Sequence, residues 1–205
     1  MRETFDLEAV DLKTIGLEAI ATHEAGHVLL AHYYGRKVYG AYLQTRPLSS
    51  RDRGERSHVR FALTPHIQEV HLDLSKLDER WPLAVRETLV TTRIRLAGPM
   101  AQSIHQQIPY RDMAGGQDYR DALSELLLLE RLRLSLPQPQ SLDTSYKHKD
   151  ILDRLADDII TLLTARDYSH YLQLVAQGLL AKQELSGRQI DEMLEAMPCH
   201  QWHPE

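Results

Sequence analysis

Two histidines and a glutamate near the start of the chain form the pattern His23-Glu24-x-x-His27. On a helix, residues four positions apart lie one above the other on the same face, about one turn apart. Two imidazoles so placed can bind one zinc ion, and the adjacent glutamate can act as a general base on a water molecule held by that ion. The pattern therefore predicts Zn²⁺ as cofactor, with His23 and His27 as metal ligands and Glu24 as the catalytic residue.

The surrounding sequence favours the helix that this chemistry needs. Apolar residues recur with helical spacing on both sides of the pattern, and Gly35 is a natural stop. We predict a helix from about 17 to 34, preceded by a loose start in which Asp6 or Asp11 caps the helix. Gly26 lies inside it, and a glycine there often marks the close packing of another segment. The chain has 11 histidines, so His-x-x-x-His alone can arise by chance. The glutamate and the apolar flanks argue against that here.

Length, charge and cysteine content bound the kind of protein. The 205 residues suit one domain, which we place at 1–205 with a core of about 15–197 and a flexible tail at 198–205. A net charge of -5 with scattered basic residues gives no nucleic-acid footprint. The single cysteine, Cys199, excludes an intrachain disulfide and fits a reducing compartment. The acidic N-terminus lacks the apolar core of a signal peptide, and no apolar run approaches about 18 residues, which predicts a cytoplasmic protein without a membrane span.

The rest of the chain predicts a mainly α fold with a small β-ribbon beside the zinc-binding helix. Two segments rich in β-branched and aromatic residues, 37–45 and 57–63, have the character of strands. Gly98-Pro99 should kink or interrupt a long helix, whereas the small residues around it would let another helix approach closely. Helical patterns follow the strands at 82–108, 117–134, 144–164, 168–182 and 188–197, with loops at 47–56 and 137–141 and an unassigned stretch at 66–81.

A strand beside a zinc site has a use in peptide chemistry. An extended substrate can add to a free strand edge through main-chain hydrogen bonds. We therefore expect substrate along 37–45 or 57–63, with the edge near Tyr42 and Leu43 as the candidate binding site. The alternative is a ribbon that only covers the helix, and the sequence does not separate the two.

A third zinc ligand must come from elsewhere, because a catalytic zinc usually keeps three protein ligands and one open position. By residue type the candidates are His58, His71, His105, Asp112, Asp118, Asp121 and Glu125. Asp118 is attractive because it begins a predicted helix just after two glycines, where a carboxylate can point at a neighbouring helix. An aspartate at a helix start is more often only a cap, and Asp112 and Asp121 stay open on this argument.

Four stretches of the chain, in order, resemble the peptidase domain of the FtsH family of ATP-dependent zinc metalloproteases. The run 23–27 is similar to that family's His-Glu-Ala-Gly-His helix, and the run 95–104 to its Leu-(Ala/Gly)-Gly-Arg-Ala-Ala-Glu-Glu-Leu helix. The run 114–122 resembles its Gly-Ala-Ser-Asn-Asp-Leu-x-x-Ala segment, and 172–194 its closing leucine-rich helix, Glu-x-Leu-x-Gly turn and terminal helix. The aspartate of the third motif is the family's third zinc ligand, and the resemblance places it on Asp118.

The chain also departs from this family. Pro99 stands where the family has arginine, and Gln102-Ser103 replaces an acidic pair. Members usually carry membrane helices and an AAA ATPase module ahead of this domain, and no Gly-x-x-x-x-Gly-Lys-Ser/Thr occurs here. The resemblance thus implies the zinc chemistry but not ATP-driven unfolding. It also implies a homo-oligomer, and the family's hexameric ring loses some support without the ATPase.

Motif and resemblance together predict a zinc-dependent metalloendopeptidase that hydrolyses peptide bonds without ATP. The expected substrates are peptides or unfolded protein segments, which a separate ATPase partner could supply. The main alternative is a non-catalytic helical module, stabilised by zinc, that binds a partner or regulates a protease. Glu24 argues against that alternative, because a closed structural zinc site has no use for an adjacent base. A zinc hydrolase acting on a non-peptide amide is a third option.

Overall fold

The helix that carries the His-Glu-x-x-His pattern is also the one against which much of the structure packs. The structure, a computed structural model, describes residues 7–44, 57–62, 77–113, 116–134 and 147–200. These residues form six α-helices and a three-stranded antiparallel sheet, which confirms the predicted mainly α fold with a small β-ribbon. The predicted loops at 47–56 and 137–141 lie outside the described residues. In chain order the elements are α1 (Leu7–Tyr33), β1 (Val38–Tyr42), β2 (His58–Phe61), α2 (Leu77–Gln106), a 3₁₀ turn (Tyr110–Met113), α3 (Gln117–Leu134), α4 (His148–Thr164), α5 (Arg166–Lys182), β3 (Glu184–Ser186) and α6 (Gly187–Leu194).

Helix α1 is longer than the sequence predicted. It begins at Leu7, so the expected loose start is wrong for residues 7–16, and Asp11 lies inside the helix rather than at its cap. The segment contains no proline and a single glycine, Gly16, which costs only about 1 kcal/mol of helix propensity. The other proposed cap, Asp6, lies outside the described residues. The helix ends at Tyr33, and Gly35 follows with a positive φ of 67°, a conformation that glycine adopts readily at a helix end.

Helices α1 and α2 pack at close range where both have small residues. A Cβ atom added to Gly26 would lie 2.5 Å from the carbonyl oxygen of Ala97 and 2.7 Å from the Cβ of Ala101, too close for any side chain. This contact confirms that the small residues of α2 allow another helix to approach closely. Because Gly26 directly precedes His27, the same contact sets how far the histidine side chains stand from α2.

Helix α2 runs through two prolines without a break. It begins at Leu77, ahead of the predicted start, and Pro82 lies in its second turn. The sequence predicted a kink or an interruption at Gly98-Pro99, and the interruption is wrong, because both residues lie inside the same helix. A proline in a helix interior costs roughly 3 kcal/mol or more. Burial of the neighbouring side chains opposes that cost, since Ala97, Met100 and Ala101 are all removed from solvent.

The sheet has the strand order β2-β1-β3, so β1 is its central strand. Strands β1 and β2 pair antiparallel as predicted, with Tyr42 opposite His58. Strand β3, which was not predicted, pairs with the other side of β1 and places Glu184 opposite Tyr42. The main-chain N–H of Leu43 also donates to the carbonyl of Gln183 at 2.8 Å. The expected substrate edge near Tyr42 and Leu43 is therefore not available, and β2 is an edge strand of the sheet that the described residues form.

Every helix and two of the strands contribute side chains to one hydrophobic core. After α6 the chain returns to the end of α1, where the N–H of His200 donates to the carbonyl of Tyr33 at 2.8 Å and the two rings stack at 5.4 Å. The predicted flexible tail at 198–205 is thus held on α1 as far as His200, and 201–205 lie outside the described residues.

None of the described helices combines the length and hydrophobicity needed to cross a bilayer.

Candidate metal centre

Three side chains from two helices converge at one point. His23 and His27 lie one turn apart on α1, and Asp118 lies in the first turn of α3. His23 Nε2 is 3.0 Å from Asp118 Oδ2 and 3.2 Å from His27 Nε2, and His27 Nε2 is 3.7 Å from Asp118 Oδ1. Of the candidates for a third ligand, the structure therefore brings the aspartate at the helix start to the two histidines.

The spacing of these atoms suits a tetrahedral ion. Zinc binds imidazole nitrogen and carboxylate oxygen at about 2.0–2.2 Å, so neighbouring ligand atoms of a tetrahedral zinc lie roughly 3.3 Å apart. The three distances, of which two run to different oxygens of Asp118, scatter around that value. One potential ligand atom from each of the three residues lies within 4.8 Å of the others, and this is the one such cluster in the described part of the chain. Two imidazoles and a carboxylate fit Zn²⁺ as a donor set and leave a fourth position open.

The second ring nitrogen of each histidine is held by another residue. His27 Nδ1 donates to the main-chain carbonyl of Ile94 at 2.7 Å, and His23 Nδ1 donates to Oε1 of Gln102 at 3.0 Å. The Gln102 amide is in turn oriented by Gln106, whose Oε1 accepts a hydrogen bond from Gln102 Nε2 at 3.2 Å. A proton fixed on Nδ1 leaves the lone pair on Nε2, the atom that faces Asp118.

Sequence reasoning missed these partners. Ile94 acts through its main chain, so no side-chain pattern could reveal it. Gln102 did give a signal, because it stands where the resembling family has an acidic residue. A side-chain oxygen at that position can accept the proton of a metal-binding histidine whether it belongs to a carboxylate or to an amide.

Gly98 leaves the space in which the two histidine rings stand. A Cβ atom there would overlap Nε2 of His27 and would lie 2.7 Å from Nε2 of His23. Helix α2 thus closes one side of the centre with bare main chain. The sequence predicted that small residues in this part of α2 let another helix approach, and the structure shows that Gly98 also determines whether the two Nε2 atoms have room.

Glu24 lies beside the three candidate ligands in a cavity of about 150 Å³, and its side chain is buried. Burial raises the pKa of Glu24 to about 7, with His23 opposing and Asp118 assisting that rise. Burial also acts to raise the pKa of Asp118, but His23 and His27 outweigh it and hold that pKa well below its ordinary value, since a proton on Nε2 makes either ring a hydrogen-bond donor and a positive charge beside the carboxylate. A metal ion on the Nε2 atoms would take the place of that proton. Asp118 is therefore ionised, as a metal ligand must be, whereas Glu24 can exchange a proton near neutral pH.

The remaining wall of this cavity comes from α2 and from the β2 segment. The lining residues there are Arg95, Ser57, His58, Val59 and Phe61. The ring of His58 lies 5.9 Å from that of Tyr42 on the neighbouring strand. Because β2 has only β1 as a partner among the described strands, and its residues line the same cavity as the candidate ligands and Glu24, a chain placed along its other side would pass close to them.

The other candidates for the third ligand do not join the cluster. Asp121 lies one turn beyond Asp118 and pairs with Arg95 at 3.4 Å, and His58 lines the cavity without belonging to the cluster. The candidates that lie elsewhere on the described elements are His105, Asp112 and Glu125, and His71 lies outside the described residues. Tyr119, next to Asp118, packs against the hydrophobic core.

A comparison with models of known protein families finds no match for this chain, and neither does a comparison with curated protein sequences. A function for the chain therefore rests on the geometry of the centre and on the resemblance of its motifs to the FtsH peptidase domain.

Proposed function

We propose that the chain is a zinc-dependent metalloendopeptidase of the FtsH kind, which hydrolyses peptide bonds in peptides or unfolded protein segments. The observation that supports this most strongly is the convergence of His23, His27 and Asp118 beside buried Glu24. Three ligands and an adjacent base around a cavity suit catalysis, whereas a structural zinc site is closed by four ligands. A non-catalytic zinc module would gain nothing from a buried glutamate at this place.

The residues of the site divide the chemistry between them. His23, His27 and Asp118 would hold Zn²⁺, which when bound polarises a carbonyl as a Lewis acid and lowers the pKa of water. Glu24 accepts the proton of the attacking water and passes it to the leaving amine. Gln102 and the Ile94 carbonyl keep the Nδ1 protons in place, so that both histidines offer Nε2 throughout.

The substrate would lie along the edge of β2, because β1 is paired on both sides. A cavity of about 150 Å³ accepts an extended chain or a side chain and not a folded domain. A separate ATPase partner that supplies unfolded chains, and a homo-oligomer like the ring of the FtsH family, belong to the same proposal. The single cysteine fits a cytoplasmic site of action.

Exchange of the proposed base tests this function directly. Glu24→Gln keeps the size of the side chain but removes the proton acceptor, so it should retain one zinc ion per chain and lose cleavage of an unfolded substrate such as casein. Glu18→Gln, on the same helix and outside the cavity, is the matched control and should change neither quantity. Cleavage by Glu24→Gln at the wild-type rate would remove Glu24 from the mechanism.

A further inference from the structure

A cationic side chain, that of Arg95, lies about one turn along α2 from Gly98, the residue that packs against the candidate metal ligands. Arg95, Gly98 and Gln102 lie on α2 at positions i, i+3 and i+7, so they share one face of the helix. Gly98 lies against the Nε2 atoms of the histidines, and Gln102 binds His23 Nδ1. At a rise of about 1.5 Å per residue, Arg95 starts about 4.5 Å along the helix from Gly98. Its side chain lines the same cavity as Glu24, yet the hydrolytic steps described above do not use it.

The hydrogen-bonding capacity of this guanidinium is only partly used. Arg95 Nη1 is 3.4 Å from Asp121 Oδ2, which is long for a charge-assisted hydrogen bond of about 2.7–2.9 Å. The other oxygen of Asp121 already accepts a hydrogen bond from Gln117 Nε2 at 2.7 Å. Arg95 Nε is buried and has no acceptor among the described residues. The side chain as a whole is 33% exposed and lines the cavity, so a further acceptor can reach the guanidinium through nitrogens other than the buried Nε.

We propose that Arg95 binds a carboxylate of the substrate and so directs cleavage to peptide bonds close to a negative charge. The planar fork of N–H groups on arginine matches the two oxygens of a carboxylate. Asp121 holds the guanidinium toward α3 by its long contact and leaves other donors for the substrate. This inference names a substrate class for the proposed peptidase and therefore rests on the proposed function.

The carboxylate has two sources in a peptide. It is either the free C-terminus or the side chain of an aspartate or glutamate near the bond that is cut. Both present the same two oxygens to Arg95, and they differ only in where cleavage falls. A C-terminal carboxylate limits cleavage to the end of the chain, whereas an acidic side chain allows cleavage within it.

A series of matched peptides tests the inference. One unstructured and otherwise uncharged peptide is made with a free carboxylate or a carboxamide at its C-terminus. In a second set, with the C-terminus amidated, one glutamate is moved along the sequence and compared with glutamine at each position. Cleavage sites and kcat/KM are measured for the zinc-loaded protein, and binding is measured by fluorescence anisotropy on zinc-loaded Glu24→Gln.

The variants are chosen as a pair on one helix. Arg95→Gln removes the charge in the cavity, whereas Arg93→Gln removes a charge from α2 that pairs with Asp158 at 3.5 Å and does not line the cavity. At least one carboxylate position should improve wild-type binding and kcat/KM by about 10- to 100-fold over its carboxamide partner, the usual size of a charged hydrogen-bond pair. Arg95→Gln should reduce that ratio to about one, and Arg93→Gln should preserve it.

The inference is overturned if the wild type discriminates at no position, or if Arg95→Gln keeps the ratio. Equal loss of kcat/KM on carboxylate and carboxamide peptides would instead assign Arg95 to the general chemistry of cleavage and would also overturn it. If Arg95→Gln does not fold, Arg95→Lys is tested in its place. A lysine lacks the planar fork of N–H groups, so it should lower the ratio of kcat/KM on carboxylate and carboxamide peptides at least about threefold, and an unchanged ratio would overturn the inference. Discrimination in binding without cleavage of any peptide would support Arg95 and refute the proposed peptidase.

Discussion

The two walls of the cavity are built in opposite ways. The helical wall, which consists of α1, α2 and the first turn of α3, has no spare space: neither Gly26 nor Gly98 can accept a side chain. The strand wall, which consists of residues 57–61, is only partly buried and is paired with a described strand along one side. Both walls face Glu24.

This difference separates two tasks. Metal ligands must keep their positions within a few tenths of an ångström, and that requires rotamers fixed by packing and by hydrogen bonds from behind. A substrate must enter and leave, and that requires an accessible edge. We therefore expect substitutions that disturb the packing or the hydrogen bonds around the ligands in the helical wall to change zinc affinity. Substitutions of the strand-wall side chains that line the cavity should change turnover while zinc is retained.

The largest effect is expected from Gly98→Ala in the helical wall. The added methyl group would occupy the space of His27 Nε2, so zinc affinity should fall by more than about 100-fold, beyond the usual loss for an outer-shell partner. Competition with a chromophoric chelator measures this constant. Gly16→Ala is the control, because its Cβ meets nothing within 4 Å, and it should bind zinc normally while gaining up to about 1 kcal/mol of helix stability. Wild-type zinc affinity in Gly98→Ala would show that close packing of α2 against the histidines is not needed for zinc binding, and would contradict the role given to the helical wall.

A smaller loss is expected from Gln102→Ala, behind the ligands. Without the oxygen that accepts the Nδ1 proton, His23 no longer has a fixed tautomer or ring orientation, and zinc affinity should fall by about 10- to 100-fold. Gln106→Ala removes only the group that orients Gln102, and its loss should stay within about threefold. If Gln102→Ala and Gln106→Ala both bound zinc as tightly as the wild type, the hydrogen bonds behind His23 would have no role in holding the ion.

The strand wall should respond differently. His58→Ala removes a polar group from the cavity and should lower kcat/KM by about tenfold, the cost of roughly one hydrogen bond, with zinc content unchanged. Arg60→Ala, two residues along the same strand, exposed and outside the cavity, should change neither. Metal analysis beside steady-state kinetics separates the outcomes. Loss of zinc in His58→Ala would indicate that His58 is a zinc ligand, and the strand wall could then no longer be separated from metal binding.

Much of this arrangement could be predicted from the sequence because it depends on local spacing. The i, i+4 histidines, the two strands and the helix starting near Asp118 all follow from periodicity and turn residues within a short window. The continuity of α2 through Pro99 was missed, because helix breakers were weighed without the packing that opposes them. The extension of α1 to Leu7 was missed because Asp6 and Asp11 suggested helix caps, although residues 7–16 contain one glycine and no proline.

Long-range features could not be predicted in the same way. Spacing left several residues open as third ligand, and a resemblance between motifs pointed to Asp118. Strand β3 has only three residues and forms through its partner β1, so its own pattern carries little information. The Ile94 carbonyl has no sequence signature at all, and the spare donors of Arg95 depend on where Asp121 lies in space.

The central claim is that His23, His27 and Asp118 hold one zinc ion. Anomalous diffraction on crystals of the zinc-loaded protein, collected above and below the zinc absorption edge, tests it most directly. The account predicts one peak within about 2.0–2.2 Å of both Nε2 atoms and an Asp118 oxygen, and a weaker peak or none in crystals of Asp118→Asn. A peak coordinated by other residues, or full zinc occupancy in Asp118→Asn, would contradict it.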